Sequence, residues 1–73
     1  MVKINKLRGK IVEAGMTAGD LADKSGISRA TWYRRISTDG EEFTAKEIAS
    51  IAATLELSDS DILDIFLAKE LHP

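Results

Sequence analysis

Three times in this sequence a hydroxyl residue stands three positions ahead of an acid and just before an apolar run. The three are Thr17-x-x-Asp20, Thr44-x-x-Glu47 and Ser58-x-x-Asp61. Each is a capping box. The hydroxyl oxygen accepts from the backbone N–H three residues on, and the acid accepts from the N–H of the cap residue. A first helical turn leaves N–H groups without carbonyl partners, so starting a helix is its costly step. Three marked starts in 73 residues commit the chain to short helices and short connections.

The remaining segments fill in around them. Ile4, Leu7 and Ile11 recur at helical spacing and predict a first helix over residues 3–14, with Gly15 at its C-terminal cap. Leu21 and Ala22 lie inside the second helix, which Gly26 ends. Ser28 is placed to cap a third helix from Arg29 to Ile36, with Trp32 and Ile36 inward and Ile27 packing at the turn. STDGEE, residues 37–42, holds an Asp-Gly turn signal and no apolar residue, so it reads as a loop. Ile48, Ala49, Ile51, Ala52 and Leu55 form the fourth helix. Ile62, Leu63, Ile65, Phe66, Leu67 and Leu71 belong to the fifth. Nothing alternates over strand length. The expectation is an all-α, compact five-helix domain over residues 1–73, with acidic C-terminal helices over 44–71.

A chain of this length buries only roughly 60% of its unfolded surface, so its core is marginal. It has no cysteine, which removes disulfides and thiolate metal sites. Packing or oligomerisation must supply the stability. The fifth helix bears on this, because it is apolar over two stripes where one suffices to join a core. Ile62, Ile65, Phe66, Leu67 and Leu71 are therefore candidates for a homodimer or partner interface. The competing account wedges this helix deep among the other four.

Several classes of function fall away. No apolar run approaches the ~20 residues of a membrane span, and MVKINKLRGKI lacks the apolar region of a signal peptide. There is no nucleophile–base pair and no glycine-rich phosphate loop, so neither an enzyme nor a small-molecule substrate is expected. The only histidine is His72, close to the C-terminus. Asp59, Asp61 and Asp64 lack the glycine and distal glutamate of a calcium loop and suit the first turn of a helix. No metal and no other cofactor is expected.

Charge points elsewhere. Residues 1–38 carry eight Lys/Arg against three acids, a net +5, while residues 39–73 carry two lysines against nine acids, a net −7. Such asymmetry suggests a polyanion-binding half. Its densest stretch is GISRATWYRRIS, residues 26–37. Two short helices about a tight glycine turn form a helix-turn-helix over residues 17–36, with Ala22 where they cross. Ser28, Arg29, Ala30, Tyr33, Arg34 and Ser37 are left on the outer face. An arginine there can donate two hydrogen bonds to guanine O6 and N7, and Ala30 can meet a thymine methyl. Ser28 and the free N–H groups beside it can hold a phosphate. Lys24, with Lys6 and Lys10 of a Lys3/Lys6/Lys10 stripe, is a candidate backbone contact.

Each residue has a plainer role to set against this. Trp32 falls on the inner face and suits the core better than base stacking. Tyr33 stands between DNA contact and a solvated rim. Arg35 suits the surface or a phosphate better than a base. The lysine stripe is open between phosphate contact and a solvated face.

Residues 17–36, TAGDLADKSGISRATWYRRI, resemble the helix-turn-helix of the Cro/repressor (XRE-type) family in Leu21-Ala22, Gly26-Ile27-Ser28, the apolar residue at 32 and Ile36. The pattern F-T-x-x-E-I at 43–48 and the ending DILDIFLAKEL are similar to small regulators of temperate phages of Gram-positive bacteria. The resemblance implies a lambda-repressor-like fold and operator contact through the outer residues of the third helix. It also implies a double-stranded DNA partner in a bacterial host cytoplasm and a Cro-like role in a lysis–lysogeny switch. One departure stands out. The family places a phosphate-clamping glutamine near the start of the second helix, where this chain has Ala18-Gly19.

Two functions compete. One is a sequence-specific, dimeric DNA-binding transcriptional regulator. The other is a protein-binding modulator, an antirepressor or co-repressor that acts by binding a phage repressor. The acidic, apolar C-terminal half and the missing glutamine favour the second. An antitoxin-like or purely structural domain is the remainder.

Overall fold

A computed structural model describes residues 2–66 of the chain. It contains α1 (Ile4–Glu13), α2 (Ala18–Lys24), α3 (Arg29–Ser37), α4 (Ala45–Leu55) and α5 (Asp59–Phe66), with no strand among the described residues. The predicted extension of the fifth helix through Leu67 to Leu71 lies outside the described residues, as does His72.

All three capping boxes close. The Thr17 N–H donates to Asp20 at 3.0 Å and Asp20 N–H to Thr17 Oγ1 at 3.1 Å. Thr44 and Glu47 make the same pair at 3.0 and 3.1 Å, and Ser58 and Asp61 at 3.3 and 3.0 Å. At α3, Ser28 Oγ accepts from the Thr31 N–H at 3.1 Å. An apolar residue precedes each cap and another follows five positions later: Met16 and Leu21, Ile27 and Trp32, Phe43 and Ile48, Leu57 and Ile62. All eight lie in the core or pack against it. These are hydrophobic-staple positions, which set the angle at which the chain enters each helix.

The helix ends share one device. After α1, Gly15 N–H donates to Val12 O at 2.9 Å and Met16 N–H to Ile11 O at 3.1 Å. After α2, Gly26 donates to Asp23 O at 3.2 Å and Ile27 to Ala22 O at 2.9 Å. This Schellman pattern needs a left-handed residue, and the two glycines have φ of 73° and 72°. Asp39 (φ 56°) plays the same part after α3 and Glu56 (φ 53°) after α4.

α2 packs against α1, α3 and α4, and α1 packs against α5. Leu7, Leu21, Ile51 and Ile65 are fully buried at the centre. Phe43 joins two helices in an aromatic cluster, 5.6 Å from Trp32 and 6.1 Å from Phe66 by ring centroids. Val2 is also buried and seals the end of the core. A Cβ on Gly40 would stand 2.7 Å from Val2 Cβ, so this turn glycine is the floor on which Val2 sits. The next residue ties the segment down, with Lys3 N–H donating to Ile65 O at 2.8 Å.

Part of the apolar face expected at an interface on the fifth helix is taken up by the chain's own core. Ile65 and Phe66 are buried in the chain's own core, and Ile62 packs against it. Through these residues α5 meets α1 and the aromatic cluster, while Leu67 and Leu71 of the expected interface lie outside the described residues. Leu63 is the large apolar residue of α5 left exposed among the described residues, at 46%.

Candidate nucleic-acid interface

α2, the turn at Gly26 and α3 form the expected helix-turn-helix. Ala22 is fully buried between the packed helices and Trp32 is buried beneath α3, so the tryptophan is a core residue. Ser28, Arg29, Ala30, Tyr33, Arg34 and Ser37 are all exposed. They differ in how free their polar groups are. Ser28 Oγ is held by the Thr31 N–H and donates to Thr31 Oγ1 at 2.9 Å. Ser37 Oγ donates to the Arg34 carbonyl at 2.7 Å. Tyr33 is 59% exposed, and Arg34 makes no ion pair with any described residue.

Arg29 is not free. Its Nε donates to Asp23 Oδ1 at 3.4 Å and its Nη2 to Asp23 Oδ2 at 3.0 Å. The hydrogen bond to Asp23 raises the guanidinium's pKa further above its ordinary value. The side chain lies over Gly19, where a Cβ would come within 2.9 Å of Arg29 Cζ. The residues at the departure from the family pattern thus have a structural role.

Arg35 turns inward. It forms a bidentate pair with Glu47, Nε to Oε1 at 3.0 Å and Nη2 to Oε2 at 3.2 Å, tying α3 to the capping box of α4. That arginine is the main cause that lowers the Glu47 pKa.

The lysine stripe of α1 faces α5. Lys3 Nζ lies 2.7 Å from Asp64 Oδ1, Lys6 also binds Asp64, and Lys10 Nζ lies 3.6 Å from Asp61. The hydrogen bonds from Lys3 and Lys6 hold the Asp64 carboxyl at about 2, below its ordinary 3.8. Asp61 is lowered as well, first by the Ser58 N–H of its capping box. The charge asymmetry of the sequence is therefore largely neutralised inside the fold. Lys3, Lys6, Lys10, Arg29 and Arg35 are in ion pairs, while Arg8, Lys24 and Arg34 form none with the described residues.

One cation was hidden in the acidic half. Lys46, in the first turn of α4, is exposed and lines a cleft of about 290 Å³ with Ser25, Ser28, Thr31, Thr44 and Ser50. The starts of α3 and α4 both open onto it, so hydroxyls and one ammonium converge there beside the Glu47 carboxylate. Its charge context in the sequence concealed it, since Lys46 stands one residue from Glu47. Among the described residues no group of three or more His, Cys, Asp or Glu is placed to hold a metal ion, and no helix is long and apolar enough to cross a membrane.

No curated protein and no solved structure gives a significant match to the chain. A family model does match, that of the Cro/C1-type HTH DNA-binding domain, over residues 6–66. The matched span runs from α1 through α5 and contains the α2–α3 unit with its exposed outer face. The chain belongs to the Cro/C1-type HTH DNA-binding domain family and is, at that level, a DNA-binding regulator.

Proposed function

We propose that this chain is a sequence-specific, operator-binding repressor that acts as a homodimer. Each α3 enters the major groove of a half-site, the two half-sites one helical turn apart (~34 Å). Ala30, Tyr33 and Arg34 meet base edges or the groove wall. Lys24 and Lys46 contact phosphates, the latter from the cleft between the starts of α3 and α4. Lys3, Lys6 and Lys10 brace α5 and add little to DNA affinity. The observation that carries this reading is the outer face of α3, where Arg34 and Tyr33 stand exposed while Arg35 is anchored inward to Glu47.

The phage setting is the second part of the proposal. It rests on the similarity of FTAKEI at 43–48 and of the C-terminal DILDIFLAKEL to small regulators of temperate phages. In that setting the chain works in the host cytoplasm as the Cro-like arm of a lysis–lysogeny switch, as one domain over residues 1–73.

The test is fluorescence anisotropy on duplexes from the chain's own promoter region, at two salt concentrations and with competitor DNA. Tight binding that weakens with salt and is lost in Arg34→Ala supports the operator reading. A folded protein that does not bind at micromolar concentration contradicts it, and capture of a phage repressor instead would favour the protein-binding modulator.

A further inference from the structure

Arg29 opens α3, yet its guanidinium lies against α2. Asp23 takes the side edge of the fork, formed by Nε and Nη2. The end edge, Nη1 with the second N–H of Nη2, has no hydrogen bond to a described residue. A guanidinium is planar and rigid, so fixing one edge fixes the direction of the other. Gly19 makes this placement possible. A Cβ there would fall 2.9 Å from Cζ and 3.2 Å from Nη1, so a side chain would push the guanidinium off its seat.

Folding does not account for the arrangement. The pair is 62% and 60% exposed, and exposed ion pairs add little to stability. Glycine also weakens a helix, and α2 has only seven residues. Nor does phosphate binding account for it. The Asp23 carboxylate cancels the arginine's charge and would repel a phosphate brought up to the same guanidinium. A guanine edge suits the free fork better, because it is neutral and offers O6 and N7 to paired N–H donors. An arginine held in one direction also loses less rotamer freedom on binding.

The geometry points to a guanine-reading unit of three residues. Gly19 and Asp23 seat Arg29 so that its end edge takes a guanine in the operator's major groove. Asp23 is a positioning residue, and Gly19 is a specificity determinant without touching the base. The inference rests on the operator-binding reading above.

The experiment is selection from a pool of random-sequence duplexes, followed by anisotropy on the enriched sequence. The chain and its variants Arg29→Ala, Asp23→Asn and Gly19→Ala are compared after a thermal-unfolding check. The expected result is an enriched motif with one guanine per half-site that Arg29→Ala no longer prefers, with affinity for it falling about tenfold or more. Asp23→Asn and Gly19→Ala lose part of the same preference severalfold, although Gly19→Ala unfolds at no lower temperature than the parent. Replacing that guanine by 7-deazaguanine, which lacks N7, weakens the parent and leaves Arg29→Ala unchanged. An unchanged motif in Arg29→Ala with a reduced salt slope would make Arg29 a phosphate contact and overturn the inference. Full guanine preference in both Asp23→Asn and Gly19→Ala would overturn the role of the seat. If the parent enriches no motif, the operator reading itself fails and takes this inference with it.

Discussion

Glu47 closes two structures with one carboxylate. Its Oε1 accepts from the Thr44 N–H at 3.0 Å, completing the cap of α4, and from Arg35 Nε of α3, also at 3.0 Å. Both side chains of the ion pair are only 17% exposed. Glu47→Ala therefore removes half of the capping box and leaves the half-buried Arg35 guanidinium with only the more distant Glu42 among the described residues. We expect a loss of about 2 kcal/mol, which for a domain this small lowers the melting temperature by roughly 8–16 °C. Glu47→Gln keeps one acceptor oxygen for the Thr44 N–H and Arg35 Nε but sets an amide donor against Arg35 Nη2, so it should lose less than Glu47→Ala without matching the parent. Thermal unfolding followed by circular dichroism checks both.

The left-handed positions give a prediction with opposite signs. Glu56 has φ 53° at the end of α4, where a side chain is strained. Glu56→Gly should stabilise the protein by about 0.5–1 kcal/mol, the relief of strain exceeding the added freedom of the unfolded chain. Gly26 has φ 72° with open space around it, so Gly26→Ala probes backbone strain alone. It should destabilise by about 1 kcal/mol. Urea titrations should move the two midpoints in opposite directions at constant slope.

Gly40→Ala should cost more than Gly26→Ala. The same left-handed strain applies, and the new methyl would stand 2.7 Å from Val2 Cβ. The combined loss is about 2 kcal/mol or more. Val2→Ala keeps the Cβ but removes the Cγ contacts at 2.8 and 3.1 Å, so a double-mutant cycle should show the two positions coupled.

These positions show what the sequence could and could not reveal. Helix starts were legible because a capping box is local, with donor and acceptor three residues apart. Gly15 and Gly26 were legible as helix ends for the same reason. Asp39 was legible only as part of an Asp-Gly turn, and Glu56 not at all, because nothing in a glutamate's chemistry advertises a left-handed backbone. Val2 and Phe43 lie outside any helical period, and only the closed core gives them neighbours. Ile62, Ile65 and Phe66, expected at an interface together with Leu67 and Leu71, pack in the chain's own core, because periodicity counts apolar faces without saying which neighbour covers them. Of the outer face of α3, the sequence located every residue but could not tell a free arginine from a held one. Arg29 is bound by a residue six positions back, and Lys3 and Lys6 by an aspartate 61 and 58 residues away.

Acid should loosen the contact between α1 and α5. Asp64 has a folded pKa of about 2 against an ordinary 3.8, so its ion pairs contribute fully above 3.8. That contribution is lost as pH falls through the folded value. Between about pH 4 and pH 2 the parent should lose stability more steeply than Asp64→Asn, which lacks the lysine-paired carboxylate. High salt at neutral pH should narrow the difference between the two. Denaturant titrations across that range check it, and equal slopes would remove Asp64 from the account.

The most direct test of the central claim is a nuclear magnetic resonance titration of labelled protein with its promoter duplex. The account predicts that amide shifts concentrate at Ser28, Ala30, Tyr33, Arg34 and Lys46, while residues of the α1–α5 contact around Lys6 and Asp64 stay still. Shifts centred on Lys3, Lys6 and Lys10 with α3 unperturbed would contradict it, and so would a folded protein whose spectrum the duplex leaves unchanged.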